Sequence, residues 1–246
     1  AIAASIQSKR CDIYTDVDGI YTTDPRIVPD AKKLDSISME EMLELAGQGA
    51  KVMQIRAVEF ANKYKVLVRV LSSFEPGSGT LILQEEDGME DAVITGIASQ
   101  TDQTKFTLHG VVDTPGIASG ILSPVSEAGI EVDVIVQNVS VSGKTDFTFT
   151  VGTSDRAEVE SVLKEKMQGI SFDELIIDEG IGKVSLVGVG MRSHAGIAST
   201  AFNALADAGI NIQMISTSEI KITIVISKEQ LEDAVKTLHE AFNLGD

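Results

Sequence analysis

The C-terminal part of the sequence contains one segment twice. Residues 105–112, KFTLHGVV, align with residues 183–190, KVSLVGVG, and residues 116–137 align with residues 196–217. In both copies the apolar residues follow the order strand, helix, strand, strand, helix. A duplicated small unit of mixed helices and strands therefore constrains the fold more than any other feature of the sequence.

The first copy (residues 105–181) and the second copy (residues 182–246) differ in their last strand. The first copy continues into a fourth strand, DELIID, whereas the second copy has none of its own. A spare strand, AVITGIA at residues 92–98, precedes the first copy. We predict that it crosses over to complete the sheet of the second copy, so that the two copies are entangled and fold as one unit.

Residues 1–83, the N-terminal segment, follow an α/β order of helix, strand, loop, helix, helix, strand, strand. CDIYTDV is the first strand, Ser38 and Glu41 form a capping box ahead of the helix MEEMLEL, and KVLVRVL is a buried strand. Residues 84–91, QEEDGMED, lack a hydrophobic period and mark a linker. Because the sequence opens inside a helical pattern, AIAASIQ, we expect a fragment of a longer protein.

The composition argues against several classes of function. The 246 residues have a formal net charge of −17, which disfavours nucleic acid and anionic membranes as partners, because both attract basic surfaces. No apolar run reaches the roughly 18 residues of a membrane span and no signal peptide opens the sequence, so we expect a cytoplasmic protein. Cys11 is the only cysteine, and no histidine has a second ligand at metal-binding spacing, so we expect no disulfide and no metal site.

Each copy has a turn of small residues between its first strand and its first helix, where the first N–H groups of a helix lack partners. In the first copy we expect the N–H groups of Ile117 and Ala118 to bind the carboxylate of a free amino acid, and Asp113 to bind its ammonium group. Gln137, at the end of the next strand, would contribute its side-chain amide, and Gly116 would permit close backbone approach. The alternative that Asp113 serves only the turn before Pro-Gly stays open.

Several segments resemble one known family. The two copies are similar to ACT domains, the regulatory modules of amino acid biosynthesis, and QNVS (137–140), GVGMRSH (188–194) and STSEIKITIVI (216–226) resemble the regulatory region of aspartate kinases. TDVDGIYTTDPR (15–26) and the residues after it resemble the nucleotide-binding end of the same enzymes. The resemblance implies the C-terminal part of an amino acid kinase α/β domain, followed by two ferredoxin-like βαββαβ ACT domains.

The resemblance further implies ATP contacts in the N-terminal segment. Arg26 and Lys51 suit phosphate groups, whereas Thr15 and Asp16 suit the adenosine. The loop that holds Asp16 and Asp18 follows a strand, where α/β sheets bind ligands, and a calcium loop fails because the remaining ligands and flanking helices are absent. Without the resemblance, a plain turn at residues 24–26 is an equal alternative. The expected ATP contacts are Thr15, Asp16, Tyr21, Asp24, Arg26, Lys51 and Val52.

For the ACT domains the resemblance implies feedback binding of L-threonine, L-lysine or both. Thr217 stands where the first copy has Gln137, and nothing in the second copy replaces Asp113, so we expect unequal sites with the stronger one in the first copy. The expected effector contacts are Asp113, Gly116, Ile117, Ala118, Glu131, Asp133, Gln137 and Ser140 in the first copy, and Ile197, Ala198, Asn211, Ile212, Ser216 and Ser218 in the second.

Aspartate kinases convert ATP and L-aspartate to ADP and 4-phospho-L-aspartate, the entry step to lysine, threonine and methionine. The resemblance implies ATP with Mg²⁺ as a substrate, no tightly bound cofactor, a homodimer formed through ACT domains, and association with catalytic chains as an option. The family's Lys-Phe-Gly-Gly-Thr and Gly-Gly-Ser-Asp motifs are expected upstream of Ala1, so we expect no catalytic residue in this chain and no activity of it alone. The alternative is a non-catalytic, amino-acid-sensing subunit; Met89 resembles the start of such subunits in some family members.

Overall fold

The computed structural model describes residues 1–50, 52–84, 93–139, 143–167 and 169–245. Most of the expected linker, together with Met89, Lys51 and Ser140, lies outside these residues. A search of the described helices finds none with the length and apolar character that crossing a bilayer requires.

The chain divides into two compact units. One contains Ala1–Gln100, Lys183–Ile226 and Gln230–Asp246, and the other contains Thr101–Gly182 and Ser227–Glu229. The second copy thus shares a unit with the N-terminal segment, and the first copy forms the other unit. The two copies thus lie in different compact units, and the hypothesis that they fold as one unit stays a prediction.

The N-terminal segment forms a four-stranded sheet with three helices. Its elements are α1 (Ile2–Ser5), β1 (Arg10–Thr15), β2 (Ser36–Ser38), α2 (Met39–Gly47), α3 (Ile55–Lys63), β3 (Leu67–Ser72) and β4 (Thr80–Leu83). The strand order is β1-β3-β4-β2, and only the β3–β4 pair is antiparallel among these neighbours. The predicted capping box is present at the start of α2: the Glu41 N–H donates to Ser38 Oγ, and the Ser38 N–H donates to Glu41 Oε2, each at 3.1 Å. The short strand β2 was not predicted.

The first copy has the predicted βαββαβ order. After β5 (Gly96–Gln100), it contains β6 (Gln103–Val112), α4 (Ile117–Glu127), β7 (Val132–Val139), β8 (Lys144–Gly152), α5 (Arg156–Lys166) and β9 (Glu174–Asp178). The strand order is β7-β8-β6-β9. Phe106 and Phe149 lie opposite each other on adjacent strands and pack with Ile121 of α4 and Val159 of α5. We call this helix-covered face of either copy the inner face, and the opposite face the outer face.

The second copy repeats this arrangement with a strand from elsewhere in the chain. Its own elements are β10 (Ile181–Val187), α6 (Ile197–Asp207), β11 (Met214–Thr217), β12 (Lys221–Ser227) and α7 (Leu231–Ala241). The strand order is β11-β12-β10-β5, so β5 takes the edge position that β9 has in the first copy. β5 pairs antiparallel with β10, as in the predicted crossover, but it begins at Gly96 rather than at residue 92. The limits of the domains themselves stay a prediction.

Candidate functional site

The loop after β1 is held by contacts among its own residues. Tyr21 donates its hydroxyl to Asp18 Oδ1 at 2.7 Å, and Lys33 Nζ donates to Asp18 Oδ2 at 2.9 Å. The hydrogen bonds from Lys33 and Tyr21 hold the pKa of Asp18 below its usual value, and the bond to Asp18 raises the pKa of Tyr21. Asp18 therefore fixes the loop around an expected ATP contact. Sequence reasoning missed Lys33: it lies within the resembling segment, but its pairing with Asp18 depends on how the loop closes and leaves no local pattern.

Asp24 and Arg26 form a two-pronged ion pair in the same loop. Arg26 Nη2 donates to Asp24 Oδ2 at 2.6 Å and Arg26 Nε donates to Asp24 Oδ1 at 3.0 Å; the backbone N–H of Arg26 also donates to Asp24 Oδ1 at 2.9 Å. This partner lowers the pKa of Asp24, while Asp24, together with the charge of Asp16, raises the pKa of Arg26. The Arg26 side chain is 89% exposed, so exchanging Asp24 for a phosphate would cost little. The turn and the phosphate-binding interpretations are therefore compatible.

The remaining expected ATP contacts among the described residues, Thr15, Asp16 and Val52, lie outside these two sets of hydrogen bonds. Thr15 Oγ1 donates to Asp16 Oδ1 at 2.9 Å at the end of β1. Val52 is half-buried and packs against the core of the N-terminal segment. The loop after β1 therefore contains Asp16, Asp18, Tyr21, Asp24 and Arg26. Lys51 lies outside the described residues, and its place in the site stays a prediction.

At the first copy's strand-to-helix corner, Gly116 precedes α4 with φ 94°, in the left-handed region that favours glycine. The Ile117 N–H, an expected ligand contact, donates to the Thr114 carbonyl at 3.1 Å in this structure, and its role toward a ligand stays a prediction. The first intrahelical bond runs from Gly120 N to Gly116 O at 2.9 Å. Ala118 and Ser119, which precede that bond, carry N–H groups that the helix itself does not use.

The other expected contacts of the first copy lie on β7 and around it. Gln137 is opposite Phe147, so its side chain lies on the inner face, at the edge strand of the sheet. The Asp113 N–H donates to Gly143 O at 3.0 Å, which ties the corner to the start of β8 at the same end of the sheet. Glu131 and Asp133 are exposed, and Ser140 lies outside the described residues. The geometry therefore gathers Asp113, the α4 corner and Gln137 around one end of the first copy.

A cavity of about 420 Å³ opens at this end and was not predicted. Lys144 Nζ lies 2.7 Å from Asp173 Oδ1, and His109 Nδ1 lies 3.1 Å from Asp146 Oδ1. A backbone hydrogen bond from Gly110, with a further contribution from His109, lowers the pKa of Asp146. The cavity is lined by His109, Gly110, Asn138, Lys144, Thr145, Asp146 and Asp173. It offers charges of both signs beside the Asp113 corner.

In the second copy the corresponding corner is occupied by its own side chains. Gly196 precedes α6 with φ 93°, as Gly116 does before α4. Ser193 Oγ donates to the Gly190 carbonyl at 3.3 Å, and His194 Nδ1 lies 2.8 Å from the same oxygen. Ile197 is buried in the core behind the corner. The two corners therefore share their backbone and differ in their side chains.

The remaining expected contacts of the second copy lie on both faces of its sheet. Ser216 is opposite Thr223, and this pair lies on the outer face, away from α6. Ile212 packs against the core with Ala198, while Asn211 and Ser218 are exposed. The structure thus does not bring the Ser216 side chain to the α6 corner. The sequence pattern did not reveal this, since the expected contacts came from a resemblance rather than from strand register.

Comparisons with known families follow the same division of the chain. A model of the amino acid kinase family matches residues 1–72, and models of the ACT domain match residues 107–166 and 184–242. A curated aspartokinase of Pseudomonas aeruginosa is 57% identical over 246 residues, which are 99% of this chain and 60% of that protein. The chain thus spans about 60% of the length of the curated relatives it matches.

The chain is also similar to solved structures of aspartokinases. A crystal structure of aspartokinase alpha and beta subunits is 47% identical, with a TM-score of 0.58 over 61% of this chain and 99% of that chain. Escherichia coli aspartokinase III with aspartate and ADP is 29% identical, with a TM-score of 0.82 over 98% of this chain and 54% of that chain. The same E. coli protein with lysine and aspartate has a TM-score of 0.76 at 29% identity, over 98% of this chain and 53% of that chain.

Proposed function

This chain belongs to the aspartokinase family, and we propose from that membership that the complete protein is an aspartate kinase. It transfers the γ-phosphoryl group of ATP to the side-chain carboxylate of L-aspartate. A carboxylate oxygen bonds to the γ-phosphorus, the bond from that phosphorus to the bridging oxygen breaks, and ADP leaves. The product is 4-phospho-L-aspartate, the precursor for the biosynthesis of lysine, threonine and methionine. The reaction takes place in the cytoplasm and uses ATP from there.

The loop of residues 15–33 is the observation that carries this proposal. Its Asp18, Tyr21 and Lys33 form one connected set of hydrogen bonds at the end of a strand, which is where α/β sheets bind nucleotides. Arg26 is exposed beside it and is oriented by Asp24, as a group that approaches phosphate needs to be. Thr15 and Asp16 are assigned to the adenosine, Lys51 to phosphate and Val52 to the wall of the site. ATP enters with Mg²⁺, which neutralises part of the phosphate charge.

Regulation belongs to the two ACT domains. The first copy gathers an acid, Asp113, an amide, Gln137, and free helical N–H groups at Ala118, which together match the ammonium, the polar groups and the carboxylate of an amino acid. L-Threonine and L-lysine are the proposed effectors, and the aspartokinase III structure with lysine supports an effector of this class. Pairing of exposed sheet edges between ACT domains gives the proposed homodimer.

A coupled assay of the complete protein tests the catalytic proposal. We expect ATP turnover that requires L-aspartate, and an Arg26→Ala variant whose KM for ATP rises at least about tenfold, because a hydrogen-bonded charge is lost. Arg56→Ala, which removes an exposed arginine of α3, is the matched control and should retain the wild-type KM. Turnover that needs no aspartate would contradict the proposal.

A regulatory subunit without catalytic function is the second candidate. It is favoured by the match to an aspartokinase subunit that covers 99% of that chain but only 61% of this one. Residues 1–83 discriminate between the two, because a pure sensor has no use for the ordered loop around Asp18. ATP analogue binding that is lost on Asp18→Ala would favour the kinase.

A further inference from the structure

One buried carboxylate of α2 joins the N-terminal segment to the second copy. Glu41 is 4% exposed. Its Oε2 accepts from the Ser38 N–H at 3.1 Å and from Ser38 Oγ at 2.8 Å, which completes the capping box. Its Oε1 accepts from Thr95 Oγ1 at 2.5 Å and from the Val189 N–H at 3.1 Å, both in the second copy's part of the unit. The helix cap uses only the two hydrogen bonds from Ser38. The two hydrogen bonds from Thr95 and Val189 therefore connect α2 to the second copy.

Two ion pairs flank Glu41 on the same helix. Arg192 Nη2 lies 2.7 Å and 2.8 Å from the two carboxylate oxygens of Glu40. Lys221 Nζ lies 2.7 Å from Glu44 Oε2. Since positions four residues apart lie on one side of a helix, Glu40 and Glu44 face the second copy together. The first turns of α2 are therefore attached to the second copy by charge as well as by hydrogen bonds.

The last turn of α2 reaches the outer face of the same sheet. Ser185 Oγ donates to Gln48 Oε1 at 3.0 Å and lies 2.9 Å from Thr223 Oγ1. Ser185 and Thr223 are each 1% exposed. Both ends of α2, nine residues or about 14 Å at 1.5 Å per residue, are thus held on this face.

The two ends of α2 lead to the two proposed sites. Val189 and Arg192 belong to the 3-10 turn between β10 and α6, which opens the second copy's strand-to-helix corner. After α2, the chain continues to Lys51 and Val52, the proposed nucleotide contacts. The turn has little spare room, because a Cβ on Gly188 would lie 2.4 Å from the Val93 carbonyl oxygen. Movement of the corner therefore has to be passed on to its neighbours.

A second contact attaches the nucleotide loop itself. Thr22 Oγ1 lies 3.0 Å from Nε2 of His239 on α7 and also accepts from the Lys32 N–H at 3.0 Å. Ile97 of β5 donates its N–H to the Thr22 carbonyl at 2.7 Å. Val28 of the same loop packs into the second copy's core. The loop therefore depends on the position of the second copy's sheet and helices.

We propose that Glu41 is a positioning residue that couples the second copy's corner to the nucleotide loop. An effector that binds the second copy's corner has to replace the Ser193 and His194 side chains at the Gly190 carbonyl. This moves the turn and its Val189 N–H, and α2 follows through the Glu41 carboxylate. The coupling rests on the proposed function, because it needs both an effector and a nucleotide. An effect of this kind requires that the effector bind the two arrangements with different affinity.

Inhibition of the complete protein, compared with effector affinity, tests the proposal. Glu41→Gln keeps the size of the side chain but replaces one acceptor oxygen by a donor, so it cannot accept all four hydrogen bonds. Thr95→Val removes only one donor to Glu41. Glu59→Gln, an exposed position of α3, is the matched control. Calorimetry gives the Kd for lysine and threonine, and a coupled assay gives kcat, KM for ATP and the inhibition constant.

We expect Glu41→Gln to bind the effector and turn over substrate within about twofold of wild type while its inhibition constant rises about tenfold or more. Thr95→Val should show a smaller rise, and Glu59→Gln none. A purely structural role would lower thermal stability and leave the ratio of inhibition constant to Kd unchanged. If both Glu41→Gln and Thr95→Val had the inhibition constant of the wild-type protein, the proposed coupling through Glu41 would be overturned, while the proposed function would stand. If the wild-type protein bound neither amino acid, the proposed effector function would fail, and the coupling with it.

Discussion

The two copies share strand order, helix positions and left-handed corner glycines, but the outer faces of their sheets have different surroundings. In the first copy, Thr107 and Thr148 hydrogen-bond at 3.2 Å on a half-buried outer face. In the second copy the equivalent pair, Ser185 and Thr223, is fully buried beneath α2. All residues of β10 are buried, whereas those of β6 alternate. The same pair of hydroxyl side chains is thus partly exposed to solvent in the first copy and buried against the N-terminal segment in the second copy.

The largest expected difference comes from shortening matched outer-face side chains. Val187 is fully buried, whereas its equivalent, His109, has a side chain that is 41% exposed. Val187→Ala should lower the free energy of unfolding of the second copy's unit by about 2–3 kcal/mol, since it removes buried methyl groups and leaves a cavity. His109→Ala should stay within about 0.5 kcal/mol.

Urea unfolding measures both variants. Circular dichroism reports on the whole chain, and tyrosine fluorescence reports on the second copy's unit alone, because Tyr14, Tyr21 and Tyr64 are its only tyrosines. Equal losses for the two variants would remove the distinction between the outer faces.

A smaller difference is expected for the hydroxyl pairs themselves. Thr223→Val should cost about 1–2 kcal/mol, because it leaves Ser185 with an unpaired group in a buried network. Thr148→Val should cost less than about 0.5 kcal/mol, since water can replace the lost partner. The same unfolding experiment checks this pair, and a cost for Thr148→Val as large as that for Thr223→Val would mean that the first copy's face is also buried.

The effector sites should also differ between the copies. Asp113→Ala should weaken threonine binding by about 1 kcal/mol or more, or about fivefold, because the ammonium group loses its acid. Ser193→Ala, a change in the second copy's turn, should leave this affinity unchanged, since Ser193 Oγ donates to the Gly190 carbonyl. Isothermal titration with threonine and lysine, alone and mixed, gives the result. Unchanged affinity of Asp113→Ala would exclude the first-copy site.

The smallest expected effect is a pH dependence confined to the second copy's unit. Burial lowers the pKa of His239 below its ordinary value of 6.5. The unfolded chain therefore binds a proton that the folded one resists, so stability is present above about pH 6.5 and falls as the pH drops below it. His239→Gln should flatten this part of the tyrosine-monitored stability profile. A profile that stays as steep would assign the pH dependence to other groups.

The sequence revealed the elements of both copies but not what covers them. Apolar periodicity identified the strands, helices and crossing strand, because each buries a face whose period is local. It could not show that Ser185 and Lys183, polar residues of β10, are buried. Ser185, for example, contacts the end of a helix more than 130 residues away in the sequence. For the same reason Glu41 was predicted as a cap and not as a link to Val189.

The site was predicted in outline only. The segment around Asp16, Asp24 and Arg26 was identified from resemblance, while the Asp18–Lys33 pair depends on a loop closure that no local pattern encodes. At the α4 corner the sequence did not reveal that the Ile117 N–H donates to the carbonyl of the turn residue Thr114. Such competition between a turn and a ligand is decided by backbone angles, which residue types restrict but do not determine.

Amide hydrogen exchange of the complete protein, with and without the effector amino acid, tests the central claim most directly. If the buried outer face of the second copy transmits regulation, the effector will change exchange at Val189, along α2 and in residues 15–33 together, and Glu41→Gln will abolish the change in the last two. An effector response confined to the corners of the two copies, with α2 and the nucleotide loop unchanged in wild type, would contradict it.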